Sequence, residues 1–494
     1  MASNILGGNS IARNDYARAF IFSKGIFKCG ATGEFVSCIS VDALAQDRGD
    51  VTKIECPSED AYGEFTEVGI IPGELSRMTT TLTGRMSRTE LSSFYKLFID
   101  GCPFDLHLHF GLCNAPDAFN QYDKSLVFEN VYVTSFGTDP LIALQSADRA
   151  VINETMDISI GNFYELVNPV YGERGNAQTT DDPIVTMEIC DRRSCGADCD
   201  DSSSGCDKIF AASSDYVAYY SDDAGLTWTR QVITGAPPVG GLIVDGTCWN
   251  DLWVLLDNQG TFWYVDRGDL LDGVGVFSST ASALTGTGTS LDTNHGTGVI
   301  VGSNGNIAVF TDPEGGTTLV DAGFAANNNT LNDVYIGNGA AVAVGNLGTV
   351  VYSYDTEVWY ASPTSPGVGL TLTSVVVKSK NNWIVGTSNG QVWCTDDGGR
   401  TWSRVKYPTW LTNTSAVTDL QLSTNHVLWM TVGTGLYRSI DGGSSWVAEP
   451  NSKLNFTTNG GLHSIATCRD NPNFVLVGGQ SVGGDGMIIA GDVA

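Results

Sequence analysis

The chain has 494 residues, 42% apolar and 16% charged, and its 26 Lys and Arg against 55 Asp and Glu give a net charge of −29. That length exceeds what one hydrophobic core organises, and the apolar content is too high for a disordered chain. The scarcity of Lys and Arg excludes a protein that grips nucleic acid or an anionic membrane, because such binding needs clustered positive charge to displace counterions. Met1 to Asp15 has no basic stretch followed by an apolar one, and no run approaches the roughly 18 apolar residues of a membrane span, so neither an export signal nor membrane contact is expected.

Residues 1–180 read mainly as strands. Phe65 to Ile71, Met78 to Thr83, Phe104 to Phe110, Leu126 to Phe136 and Thr155 to Ile160 alternate apolar and polar residues, which predicts a two-sheet sandwich or barrel. One helix interrupts them. Ser87-Arg-Thr-Glu90 is a capping box, Leu91, Phe94, Tyr95 and Phe98 form a stripe at helical spacing, and Gly101 with Pro103 ends it. His107 and His109 share a face with Asp105, opposite Phe104, Leu106, Leu108 and Phe110. The pair could suit a metal, but the alternation predicts a solvent-facing polar stripe.

This arrangement resembles the tail tube, or major tail, protein of long-tailed bacteriophages. The resemblance rests on the strand order, the single helix after a Thr-rich strand, and the stretch Cys102-Pro-Phe-Asp-Leu-His-Leu-His-Phe-Gly111 leading to Lys124-Ser-Leu-Val-Phe-Glu-Asn-Val. It implies a structural virion protein, assembled in the host cytoplasm into hexameric rings that stack as a tube. Its partners would be its own copies, other tail proteins and DNA passing through the lumen. An acidic wall would repel that DNA, and the 30 acidic against 15 basic residues before Asp207 meet this condition. Such proteins carry extra domains outside the tube.

Four cysteines, Cys190, Cys195, Cys199 and Cys206, follow in a short Asp-rich loop. The spacing lacks the paired C-x2-C of a zinc knuckle. Two local disulfides are the first reading, with free thiols and zinc as alternatives.

From residue 181 onward the sequence repeats. Runs beginning at Gly260, Gly305, Gly348, Gly390, Gly435 and Gly486 open short apolar strands at spacings of 45, 43, 42, 45 and 51. Several are preceded by an apolar run closed by glycine, such as Val342-Ala-Val-Gly345 and Ile384-Val-Gly386. A period in the forties built of strands is the signature of propeller blades. Residues 181–494 accommodate seven such units. Only three strands are visible in the last, so its fourth is expected to come from the chain just before the first, which removes an open sheet edge.

Three units carry a sharper pattern: Ser221-Asp-Asp223-Ala-Gly225-Leu-Thr-Trp228, Thr395-Asp-Asp397-Gly-Gly399-Arg-Thr-Trp402 and Ser439-Ile-Asp441-Gly-Gly443-Ser-Ser-Trp446. These resemble the Asp box of sialidases and related propellers. The Asp accepts backbone N–H bonds across a tight turn, the Gly takes a left-handed conformation, and the Trp packs between sheets. Their role is structural. A sialidase resemblance would imply a central arginine triad, yet only six arginines follow Cys206, and Arg230, Arg400, Arg404 and Arg438 lie in or beside the boxes.

No other catalytic constellation appears. Gly386-Thr-Ser388-Asn-Gly390 joins two strands, whereas a nucleophile elbow joins strand to helix. The expectation is an all-β, non-enzymatic protein without metal or cofactor: a tail-tube-like domain (1–180) and a seven-bladed propeller (181–494). Trp249, Trp253 and Trp263 are expected first to fill gaps between blades, with weak contact to host-surface glycans as the second reading. The competing expectation is a secreted or surface propeller that binds or hydrolyses glycans.

Overall fold

The structure is a computed structural model. It describes residues 17–23, 34–41, 52–57, 65–71, 77–87, 97–99, 101, 103–110, 124–138, 151–167, 170–173, 183–189 and 206–492, the last with gaps at 235–237, 250–251, 272–275, 295, 314–316, 321–327, 406–414, 425, 450–460, 469–470 and 481–484. The chain forms two compact units that divide between Val167 and Asn168.

The strands of the first unit are β1 (Ala17–Ser23), β2 (Glu34–Val41), β3 (Thr52–Pro57), β4 (Phe65–Ile71), β5 (Met78–Ser87), β6 (Phe104–Phe110), β7 (Lys124–Thr138), β8 (Val151–Ile160) and β9 (Asn162–Val167). β3 and β4 form a separate pair. The others run in the order β6-β1-β2-β5-β8-β7-β9, and β6 also pairs with β7, so the sheet closes on itself. Leu82, Phe104, Leu106, Leu108, Phe128, Val131, Met156, Ile158 and Ile160 form its core.

That closure corrects the reading of the histidines. His107 and His109 are 0% and 1% exposed, and Asp105 is buried with them. Alternation separates the two faces of a strand without saying that either meets water, and β6 is hydrogen-bonded along both edges. Asp105 accepts the Asn130 N–H at 2.8 Å, and His109 Nδ1 lies 2.7 Å from Ser125 Oγ. Of the expected helix, Leu97–Ile99 are helical and residues 88–96 lie outside the described residues. Gly101, at φ 62°, closes this turn by donating its N–H to the Leu97 carbonyl at 3.0 Å.

In the second unit the described residues form seven four-stranded antiparallel sheets. Their first strands are Ile184–Ile189, Ile243–Trp249, Gly288–Asn294, Leu331–Gly337, Leu372–Ser379, Val417–Leu422 and Leu462–Thr467. Each packs against the next, and the first packs against the last, so the sheets close in a ring, the architecture of a β-propeller. The second strand of each sheet is almost wholly buried, as in Ile209–Ser213 and Ala340–Gly345. This is why those stretches read as unbroken apolar runs. The outermost strands, such as Thr229–Val232, face solvent on most residues.

The ring is closed by a strand from before the first sheet. β10 (Val170–Glu173) pairs with the last strand, Gly486–Asp492, and completes the seventh sheet. The boundary drawn at residue 180 therefore falls inside the second unit. A disulfide spans the same seam. Cys206 is bonded to Cys468, with Cα atoms 5.5 Å apart across 262 residues of sequence. This corrects the local pairing expected of Cys206. Cys190, Cys195 and Cys199 lie outside the described residues.

Trp253 and Trp263, whose second reading is sugar contact, are 0% and 2% exposed. Trp253 packs on Phe210 with ring centroids 4.4 Å apart, and Trp263 packs on Tyr216 at 5.6 Å, so both fill the space between the first two sheets. Trp249 is half-buried. Gly386 to Gly390 is the turn between two strands of the fifth sheet, pinned by the Gln391 N–H donating to Thr387 Oγ1 at 2.8 Å.

Candidate functional site

The three Ser/Thr-x-Asp turns are near copies of one another. In the first, Ser221 Oγ donates to Asp223 Oδ1 at 2.8 Å and accepts the Gly225 N–H at 2.8 Å. Asp223 also accepts from the Thr227 N–H at 2.8 Å and the Thr227 hydroxyl at 2.6 Å. Asp397 makes the matching bonds with Thr395 and Thr401, and Asp441 with Ser439 and Ser445. Gly225, Gly399 and Gly443 have φ of 82°, 80° and 91°. A Cβ at Gly443 would also collide with Ile384 of the preceding sheet.

Burial opposes ionisation of Asp223 and Asp397, but the bonds from their turns outweigh it and hold both carboxyls below the ordinary range. Asp441 is buried, and burial raises its pKa despite the same bonds. Trp228 joins the core shared by the first and seventh sheets, and Trp446 the core shared by the fifth and sixth. Trp402 is half-buried and donates Nε1–H to the Thr364 carbonyl at 3.2 Å. The Ser, Thr and Asp side chains of these turns bond within their own loops, while the Gly399 carbonyl accepts from Ser362 and the Gly442 carbonyl from Lys378.

A different set of residues surrounds the axis. Each of the seven first strands carries a bulge one residue after its start, placed between Ile184 and Thr186, Ile243 and Asp245, Gly288 and Ser290, Leu331 and Asp333, Leu372 and Ser374, Val417 and Asp419, and Leu462 and Ser464. The residue after the bulge is thus a hydroxyl or a carboxyl in every sheet, and the two alternate from Asp245 to Ser464. A bulge re-aims the side chain that follows it.

These residues join each sheet to the next. Asp245 Oδ2 accepts the Leu291 N–H at 3.0 Å, Asp333 Oδ2 the Val375 N–H at 2.7 Å, and Asp419 Oδ2 the Ile465 N–H at 2.7 Å. Asp292, two residues beyond Ser290, accepts the Ile336 N–H at 2.6 Å. The bulged residues add a second set of links: Thr289, Thr373 and Thr418 each donate to a carbonyl of the next sheet at 2.6 Å, and Asn332 donates to one at 2.7 Å.

Together the strands enclose an axial cavity of about 590 Å³. Thr186, Asp245, Ser290, Asp333, Asp419 and Ser464 line it, along with Glu188, Thr247, Asp292, Tyr335, Gln421 and His463. No Lys or Arg is among the lining residues. Burial pushes Asp292 and Asp419 up to about 7, and burial together with the Asp245 and Asp419 charges pushes Asp333 to about 8. Burial also raises Asp245 and lowers His463.

The sequence held a signal for this ring: Leu331-Asn-Asp-Val, Leu372-Thr-Ser-Val, Val417-Thr-Asp-Leu and Leu462-His-Ser-Ile stand at one place in four units. Such short polar pairs within strands look like ordinary alternation until the bulge is known.

Fold and site together define a β-propeller with a polar, acidic axis. No family model and no curated protein matches the chain. Solved structures do. YCF48 from Cyanidioschyzon merolae is 12% identical over 65% of this chain and 98% of its own, with a TM-score of 0.47. A structure of YCF48 bound to D1 peptide is 14% identical over 67% and 96%, with a TM-score of 0.48. Raptor of Chaetomium thermophilum is 13% identical over 66% of this chain and 30% of its own, also at 0.48. YCF48 is a β-propeller and none of these three structures is a tail tube protein, so the assignment as a major tail tube protein is corrected. Of the competing expectation, the propeller is the part that the fold supports.

Proposed function

We propose that the chain is a secreted or surface-exposed binding protein, a seven-bladed Asp-box propeller that takes a neutral glycan at its axial cavity and does not cleave it. The observation that carries this reading is the cavity lining of about 590 Å³, rich in hydroxyl, amide and carboxyl groups and without a Lys or Arg. Sugar hydroxyls both donate and accept, so they match a surface of acceptors and hydroxyls. A sialic acid carboxylate would meet carboxyl groups and no cation, which disfavours sialosides as ligands.

Binding without hydrolysis is supported by how three of the axial carboxyls are held. A glycosidase needs one carboxyl free to reach the leaving oxygen and another to attack or to activate water. Asp245, Asp292 and Asp333 have both oxygens engaged by backbone N–H groups. The Cys206–Cys468 disulfide supports an oxidising compartment.

A glycan array spanning neutral and sialylated structures tests the proposal. Neutral glycans should bind, and His463→Ala and Gln421→Ala should weaken them several-fold. Selective binding of sialosides, or binding indifferent to both substitutions, would sink it.

A further inference from the structure

Ser290 Oγ lies 2.8 Å from Asp245 Oδ2 and 3.0 Å from Asp333 Oδ1. A serine hydroxyl has one hydrogen to give, and an ionised carboxylate can only accept. That hydrogen satisfies one of the two contacts. With both carboxyls ionised, the other contact would set two oxygen lone pairs face to face.

We infer that a proton fills this gap at neutral pH: Asp333 is a neutral carboxylic acid whose O–H donates to Ser290 Oγ, while Ser290 donates onward to Asp245 Oδ2. The relay ties the second, third and fourth sheets together at the axis. The proton resides on Asp333 because Asp245 is the better-solvated anion. Besides Ser290, Asp245 accepts from the Gly246 N–H at 2.8 Å, the Leu291 N–H at 3.0 Å and Thr186 Oγ1 at 3.3 Å. Among the described residues, Asp333 accepts backbone bonds from the Val334 N–H at 2.9 Å and the Val375 N–H at 2.7 Å. More donors favour the charged form.

The other titratable groups on the cavity wall are Glu188, Asp292, Tyr335, Asp419 and His463. No Lys or Arg stands among the described residues that line the cavity, so a second negative charge next to Asp245 finds no cation in that lining. Burial and the neighbouring Asp245 and Asp419 charges raise Asp333 to about 8.

Infrared spectra of the protein in D2O across pH 5 to 10 test the inference, with Asp333→Asn as the informative variant. An amide is a permanent donor to Ser290 and cannot titrate. Wild type should show a protonated-carboxyl band at pH 7 that disappears as pH rises past about 8, following burial and like-charge repulsion. D333N should lose part of that band and show a shallower fall of Tm between pH 6 and 9, with a Tm at pH 9 above wild type. Absence of the band in wild type at pH 7 would overturn the inference without reference to any variant. So would a D333N protein with the band and the Tm slope of wild type.

Discussion

Cys206 is bonded to Cys468 across the seam where the last sheet of the ring meets the first. Cys206 precedes the second strand of the first sheet, and Cys468 follows the first strand of the seventh. Among the described strands of the second unit, β10 is the one out of sequence order, and it joins the seventh sheet. Strand and disulfide therefore act on one weak point, since a ring of sheets opens most readily where its two ends meet.

Reduction, or Cys206→Ser with Cys468→Ser, should lower stability. A cross-link over so long a loop restricts the unfolded chain by up to about 5 kcal/mol in the chain-entropy model. Calorimetry with and without reductant checks this, and an unchanged Tm would mean that β10 alone holds the seam.

Tyr171 anchors the strand half of the closure. It is 4% exposed, and a Cβ at Gly491 would press into its ring. Tyr171→Ala should cost about 3 kcal/mol by opening a cavity. Gly491→Val should cost a comparable amount by overpacking. Urea denaturation of the full chain reads both.

The three Asp boxes should differ in what their aspartates contribute. Asp397 lies in an exposed turn, so Asp397→Ala loses its bonds to Thr395 and Thr401 at a cost of about 1 kcal/mol. Asp441 is 1% exposed, and Lys378 Nζ donates to the adjacent Gly442 carbonyl at 2.7 Å. Asp441→Ala strands buried donors and should cost about 3 kcal/mol. Equal losses in the two variants would show that burial of the third box carries no energetic weight.

Stability should peak in mild acid. Asp292, Asp333 and Asp419 keep protons in the folded state up to about 7, 8 and 7, whereas the unfolded chain releases them near its ordinary value of 3.8. The stability they contribute is full below that value and is lost as pH rises through 7 and 8. Asp223 and Asp397 act oppositely: their folded values are lowered, so their contribution is present above 3.8 and lost as pH falls further. A Tm profile with its maximum at about pH 4 to 5 is expected. A maximum near pH 8 would contradict the axial protonation.

The features legible in the sequence are those set by local chemistry. The turns around Asp223, Asp397 and Asp441 are written within eight residues each, and buried strands such as Ala340–Gly345 appear as apolar runs ending in glycine. What ring closure brings together cannot be read from any one unit alone. Cys206 looked like one of a local cluster because Cys468 is 262 residues away. His107 and His109 looked like a solvent stripe because the pairing of β6 with β7 is not visible in β6 itself. The axial aspartates were hidden for the same reason: Asp245 meets Leu291, and Asp419 meets Ile465, only when adjacent sheets stand side by side.

Isothermal titration of a neutral oligosaccharide into the full chain tests ligand binding at the axis most directly, with wild type compared against His463→Ala and Gln421→Ala. Saturable binding that weakens several-fold in both variants while their Tm stays at the wild-type value is the expected result. Binding of equal strength in all three proteins, or no heat from any neutral sugar, would contradict it.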